Sequence, residues 1–291
     1  MLTHTYTREI LFQYRSADTA IKHILHGGTI RLGSLVGTND PRETDPWFFG
    51  MSGDDPLLIS DPEAFSRKFL EWQRDVDRVL KWGCRVGCFS QDEPDQTPGL
   101  GDLDVRVHTL RQGYDHDRMW AQYADYHTGI CVFFDKARLI RTMEEYAHCE
   151  EAQMIHGPVE YFHRYDTYDR PSAIPIADIE AHGITAVAKK HRERFARRLY
   201  LTKDSDWLQE HEYRFVWLDG SDDANNDPIN VPIGDCIRAV CLGAHFPENR
   251  IDEIRDLHEH MRINVHQIRY AYGHLSVLPR LHNPDFDASG H

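Results

Sequence analysis

The stretch Asp117-Arg-Met-Trp-Ala-Gln-Tyr-Ala-Asp-Tyr-His-Thr-Gly129 runs directly into Ile130-Cys-Val-Phe-Phe134. At helical spacing Trp120, Tyr123, Ala124 and His127 fall at i, i+3, i+4 and i+7 and share one face. Gly129 stands where a helix C-terminus favours positive φ. The five residues after it are nearly all apolar, β-branched or aromatic, the pattern of a short strand buried on both faces. A helix therefore delivers a Trp, a Tyr and a His to the mouth of a central strand. An imidazole in a helix's last turn is favoured as a cation by the helix dipole. The plain alternative is that Trp120 and Tyr123 are core packing and His127 caps the helix.

Working outward, strands are expected at Ile10–Arg15, Thr29–Leu32, Arg85–Ser90, Gly157–Phe162, Ile229–Ile233, Ile237–Leu242 and Ile263–Tyr270. Helices are expected at Asp18–Leu25, from Asp61-Pro62 through Leu80, and over about 136–149, 180–200 and 247–260. The polar loop Gly37–Trp47 reads as solvated or as a lid, residues 91–115 as a loop, and 163–179 as irregular. Helices and strands do not alternate as βαβ units. The expected fold is a single α+β domain over residues 1–275, a mixed, largely antiparallel sheet flanked by helices, with a loose tail at 276–291.

The composition, 41% hydrophobic and 27% charged, is that of a soluble globular protein. With 47 acidic against 33 basic residues the formal charge is −14, which argues against indiscriminate binding to nucleic acid or anionic membrane. The one basic concentration is Lys189, Lys190, Arg192, Arg194, Arg197 and Arg198, read as a solvated helix face or a phosphate contact. Cysteines 84, 88, 131, 149, 236 and 241 form no CxxC pair and read as free thiols in a reducing compartment. No stretch reaches membrane-spanning length, so a cytoplasmic location is expected.

One later segment carries chemistry: Lys203-Asp-Ser-Asp-Trp-Leu-Gln-Glu-His-Glu-Tyr-Arg-Phe-Val-Trp217. Read as extended, Glu210, Glu212, Arg214 and Val216 point one way, each about 7 Å from the next, and His211, Tyr213, Phe215 and Trp217 the other. On an edge strand such charges are ordinary protection against aggregation.

Together with Tyr14-Arg15-Ser16, Asn39-Asp40-Pro41, Cys88-Phe89-Ser90 and Met119-Trp120-x-x-Tyr123-Ala124-x-x-His127-x-Gly129, that segment resembles a large bacterial family known only as a domain of unknown function (number twenty-nine seventy-one). The resemblance spans residues 10 to about 245. It departs at Arg42, where the family usually has Phe. The order Arg15, Ser90, Glu210-x-Glu212 also resembles ADP-ribosyltransferases of the arginine–serine–glutamate type.

That second resemblance implies NAD as substrate and a place in bacterial toxin or phage-defence biology. Arg15 would grip the diphosphate or ribose bidentately. Glu212 would hold the ribose and stabilise an oxocarbenium-like state, and Glu210 would orient or deprotonate an acceptor, protein or nucleic acid. Trp120 or Tyr123 would stack on nicotinamide. Tyr14, Ser90 and Arg214 complete the expected binding set and His127 the catalytic one, all lining one cleft, with an antitoxin or effector complex as a partner. Two other classes compete. A non-enzymatic sensor or interaction module would bind a nucleotide in the same cleft. A metal-dependent hydrolase would use Glu210, Glu212, Asp40 and a His, but no HExxH-like spacing supports it and no metal is expected.

Overall fold

The computed structural model describes residues 10–53, 55–92, 113–163, 173–220, 225–271 and 274–281. It opens on β1 (Ile10–Arg15), whose alternation sends Leu11 to one core and Phe12 and Tyr14 to another. Ser16, rather than Asp18, caps the next turn: its hydroxyl accepts from the Thr19 N–H at the start of α1 (Ala17–Thr19), which widens into a π-helical segment at Ala20–His26. After β2 (Thr29–Ser34), the polar loop contains a short helix, α2 (Pro41–Thr44). Asp40 accepts from the Arg42 N–H at 2.9 Å, and Pro41 supplies the φ of the first helical position.

Then come β3 (Met51–Ser52), α3 (Pro56–Ser60) and α4 (Pro62–Lys81), the last capped by Asp61 as its Asp-Pro start predicts. Val76 and Leu80 of the apolar stripe are buried, whereas Phe65, Phe69 and Trp72 remain half-buried. β4 (Cys84–Ser90) precedes the expected 91–115 loop, of which 93–112 lie outside the described residues. α5 (Asp117–Tyr123) leads into β5 (Ile130–Asp135), whose Asp135 caps α6 (Lys136–Cys149).

The expected strand at 157–162 is two strands, β6 (Gln153–Pro158) and β7 (Glu160–Phe162). The stretch expected to be irregular contains β8 (Ile174–Pro175) and α7 (Ile176–His182), while 164–172 lie outside the described residues. α8 (Ile184–Tyr200) follows Gly183 at φ +79°. Its basic run is split: Arg192 is buried and donates to the carbonyls of Val79 and Asp219, whereas Lys190, Arg194, Arg197 and Arg198 face solvent. β9 (Thr202–Asp204), β10 (Glu212–Leu218), β11 (Ile229–Pro232), β12 (Ile237–Leu242), α9 (Ile251–Met261), β13 (Asn264–Ala271) and β14 (His274–Leu281) complete the order.

Ten strands form one sheet along β11-β2-β4-β1-β5-β12-β13-β14, with β10 on the other edge of β4 and β6 beyond it. Every pairing in it is antiparallel except β12 with β13, so the fold is α+β with a mixed, mostly antiparallel sheet. The tail expected from 276 begins as sheet instead. Ser276–Leu281 belong to β14, where Val277 alternates with exposed Leu278 and packs on the core beside Leu275.

Alternation divides the apolar residues. Leu11, Phe89, Val132, Phe134, Tyr213 and Phe215 share one face of the sheet with residues of α6 and α9. On the other face two clusters stand apart, one around Val76, Tyr200 and Val216, the other around Phe12, Trp120 and Phe133. Full burial of each such side chain contributes roughly 1.5–3 kcal/mol. Ser90, Glu212 and Arg214 lie on this second face between the two clusters. Among the described residues no helix is long and apolar enough to cross a membrane.

Candidate functional site: a cleft where the sheet parts

β1 and β2 pair with the same edge of β4 at different ends. β1 touches it at Phe12↔Ser90, and β2 at Gly33↔Val86 and Ser34↔Arg85. Between those points the edge of β4 has no strand beside it, and the Gln13 amide donates to the Cys88 carbonyl at 3.2 Å in place of a ladder bond. The parting opens a cleft of about 500 Å³, within the ordinary size range of small-molecule sites. β1, β2, β4, α5 and β10 line it, with the 37–43 loop.

Its wall is an ion-pair network of unusual depth. Arg214 is 1% exposed, with Nε 2.6 Å and a second nitrogen 3.0 Å from the two oxygens of Glu212. Its remaining nitrogen lies 2.5 Å from Glu43 Oε1 and donates to the Tyr200 carbonyl. Lys203 Nζ sits 2.7 Å from Glu210 and 3.0 Å from Glu212. Tyr123 donates its hydroxyl to Glu210 at 2.7 Å and accepts from Asn39 at 3.0 Å. Burial pushes the Glu212 carboxyl up, but Arg214 and Lys203 overcome it and hold the group down at about 2. Burial likewise pulls Lys203 down, and Glu212 and Glu210 more than reverse it.

The even spacing of Glu210, Glu212 and Arg214 that follows if the chain is extended from Glu210 is not what forms. Glu210 ends a 3-10 turn, Ser205–Glu210, and His211 takes a left-handed conformation at φ 42° before β10 begins. The two carboxylates still meet, because both close on Lys203. β10 is an interior strand, paired along its length to β4 and β6. Register sets Ser90 opposite Glu212 and Cys88 opposite Arg214.

Of the nine residues expected in one cleft, Arg15, Tyr14, Ser90, Tyr123, Glu210, Glu212 and Arg214 line it. Arg15 arrives from the strand side it shares with Leu11 and Gln13, and alternation places Glu212 on the other side with Phe12 and Ser90. The parting of the strands brings both to one space. Tyr14 is largely core, donating to the Gly113 carbonyl and packing edge-on to Trp120 at 5.1 Å between ring centres.

Trp120 and His127 do not line the cleft. Trp120 is fully buried, its indole N–H donating to the Tyr114 carbonyl at 2.8 Å. α5 ends at Tyr123, so His127 is not in a last helical turn. Asp125, Tyr126 and His127 form a left-handed turn (φ 49°, 53° and 69°) that lays the His127 ring against Trp120, His245 and Tyr270. Burial lowers the His127 pKa, the reverse of the cation expected from a helix dipole. Gly129 is not the positive-φ residue. It is glycine because a Cβ there would lie 2.2 Å from the Arg15 carbonyl oxygen.

Several residues here escaped the sequence reading. Lys203 was visible in the Lys203–Arg214 motif but had no assigned part, although it bridges both carboxylates. Glu43 lies three residues after the Asp40 cap, the spacing of a capping box, yet its side chain reaches Arg214 instead of the cap. Arg42 holds the same loop through an ion pair to Asp204 at 2.6 Å. Arg31 lines the cleft from an exposed position of β2 between the buried Ile30 and Leu32. The described residues contain no group of three or more His, Cys, Asp or Glu that could hold a metal ion.

Residues 119–215 match the family described as protein of unknown function (DUF2971). Neither a curated protein nor a solved structure matches the chain. The matched segment carries Tyr123, Lys203, Glu210, Glu212 and Arg214; Arg15, Glu43 and Ser90 precede it, so the match is shorter than the span from residue 10 to about 245 expected from the motifs.

Proposed function

We propose that the cleft binds a nucleotide, held through its phosphates by Arg15 and Arg31. One observation carries this reading. Among the described residues both guanidiniums line the cleft without a carboxylate partner, Arg15 donating only to the Tyr14 carbonyl. Arg15 is half-buried and Arg31 exposed, whereas the buried arginines among the described residues are engaged: Arg85 by Asn225, Asp227 and Asp219, Arg192 by two carbonyls, and Arg214 by two carboxylates. Burial draws the Arg15 pKa down, a cost that a bound anion offsets. Two planar, unpaired guanidiniums suit an oxyanion bound through two oxygens at once, and the tetrahedral oxygens of a phosphate can be shared between both.

The test is calorimetric titration with ADP, GDP, CDP, UDP and NAD, each beside its nucleoside. A diphosphate should bind and its nucleoside should not, with Arg15→Ala and Arg31→Ala each weakening binding about tenfold or more. Equal binding of nucleoside and diphosphate, or indifference to both substitutions, would remove the phosphate site.

A second reading, ADP-ribosyl transfer from NAD, is favoured by the meeting of Arg15, Ser90, Glu210 and Glu212 in one cleft. It stands second because the Glu212 charge is already shared by Arg214 and Lys203, which weakens its field at a ribosyl cation. Nicotinamide release from NAD, lost in Glu212→Gln at unchanged NAD affinity, would raise it to first.

A further inference from the structure

We propose that Glu43 and Ser90 form a hydroxyl-recognising subsite in this cleft, so that the nucleotide is held by its ribose diol as well as by phosphate. The inference rests on the nucleotide-binding reading above.

It comes from following each polar atom of the cleft wall to its partner. Both oxygens of Glu212 are taken by Arg214, and one of them also by Lys203. Both oxygens of Glu210 are taken, one by Tyr123 and one by Lys203. Glu43 differs. Its Oε1 meets Arg214 at 2.5 Å, while its Oε2 is buried and has no hydrogen-bond partner. The Ser90 hydroxyl is likewise buried and unpartnered. The two residues are 6% and 2% exposed, and both line the cleft. Both also border the same ion pair: Glu43 binds Arg214 directly, and Ser90 stands opposite Glu212 in the β4–β10 ladder.

Buried polar atoms without partners are uncommon and costly, and three around one cleft, the Ser34 hydroxyl being the third, mark hydrogen bonds that an occupant completes; Glu43 and Ser90 are the two that border the ion pair. Their chemistry narrows that occupant. A carboxylate paired with a guanidinium offers an acceptor only, so Glu43 Oε2 calls for an O–H or N–H donor. A serine hydroxyl both donates and accepts. An acceptor and a donor–acceptor that line one cleft and border one ion pair suit a ligand carrying more than one hydroxyl, each of which can donate to one group and accept from another. On a ligand whose phosphates are held by Arg15 and Arg31, those hydroxyls are the 2′,3′-diol of a ribose. Glu212, whose two oxygens already meet Arg214 and Lys203 in three contacts, has less acceptor capacity left for a sugar than Glu43 Oε2, which has no hydrogen-bond partner.

The experiment compares ADP, GDP, CDP and UDP with their 2′,3′-dideoxy counterparts by calorimetry on the full chain, for wild type, Ser90→Ala and Glu43→Gln. Wild type should prefer the ribonucleotide by about tenfold or more. Each variant should lose most of that preference while keeping its affinity for the dideoxy form within about twofold. Ser90→Ala removes no hydrogen bond of the ion-pair network, so it remains informative if Glu43→Gln folds poorly. Equal binding of both sugars by wild type overturns the subsite and leaves the phosphate reading standing. A preference that survives both substitutions also overturns it. Failure of every diphosphate to bind overturns both.

Discussion

At the scale of single residues, the site is a problem of buried charge. Three carboxylates, Glu43, Glu210 and Glu212, share two cations, Lys203 and Arg214, at depths where an unpaired ion is not tolerated. Lys203→Met should therefore cost about 3–5 kcal/mol at neutral pH, because it leaves Glu210 and Glu212 facing each other. Urea unfolding reads this directly, and a loss below 1 kcal/mol would show that water relieves the charges. The sign with pH follows from Glu212. Its folded pKa, about 2, is below the unfolded value, so its contribution is complete above the unfolded value and is lost as pH falls toward 2. Wild-type stability should decline through that acid window, and the decline should be shallower in Glu212→Gln. Glycine makes a separate residue-scale case. In Gly129→Ala the new Cβ would meet the Arg15 carbonyl oxygen at 2.2 Å, and backbone cannot yield as a side chain can. That variant should fold poorly or lose about 3 kcal/mol or more, whereas Gly33→Ala, with nothing within 4 Å of its Cβ, should keep its melting temperature within a few degrees.

At the scale of elements, the turn between α5 and β5 is held in an unfavourable conformation. Three successive non-glycine residues at positive φ each cost on the order of 1 kcal/mol. The turn persists because other contacts hold it in place: the His127 carbonyl accepts from the His245 N–H at 2.9 Å, and Gly243 donates to the Gly129 carbonyl at 2.9 Å. Tyr126, in the middle of the turn, is 76% exposed. Tyr126→Asn should consequently stabilise the protein by about 0.5–1 kcal/mol, since asparagine tolerates this conformation better. A fall in melting temperature would mean that the tyrosine ring makes a stabilising contact. The α2 loop is the other informative element. Asn39, Arg42 and Glu43 tie it to Tyr123, Asp204 and Arg214, so it is a clasped wall of the cleft. Arg42→Phe, which removes the ion pair to Asp204, should loosen that wall and raise hydrogen exchange at residues 41–44 without unfolding the sheet.

At the scale of the molecule, the sheet concentrates stability at its middle. β4 and β10 pair along seven positions, and β10 is flanked on its other side by β6. β14 and β11 are terminal strands of the pairing path. Native-state hydrogen exchange should place β4, β5 and β10 amides in the slowest class and β14 amides in a faster one that opens on its own. Equal protection throughout would mean that the sheet opens only as a whole. The cleft sits beside the fully paired β4 and β10, so its wall is preorganised for a ligand instead of being assembled by it.

Most of the regular elements follow from local pattern. The alternation of Ile10–Arg15, the Asp61-Pro62 helix start, the apolar run at Ile130–Phe134 and the α+β class were all legible in sequence, because periodicity and capping act over a few residues. So was the gathering of Arg15, Ser90, Tyr123, Glu210, Glu212 and Arg214, though from motif resemblance and not from spacing. The tertiary structure alone decided the rest. That Glu43 pairs with Arg214, 171 positions away, depends on where a four-residue helix lands on a sheet. That β10 is interior, not an edge, depends on β6 and β4 closing on it from distant parts of the chain. His127 left the expected site because the chain turned left-handed at residues 125–127, ahead of the strand, a choice imposed by contacts with residues 243–245. Local sequence sets which side chains alternate and where helices begin; partners brought together by distant strands determine which charges are neutralised and which polar atoms remain open to a ligand.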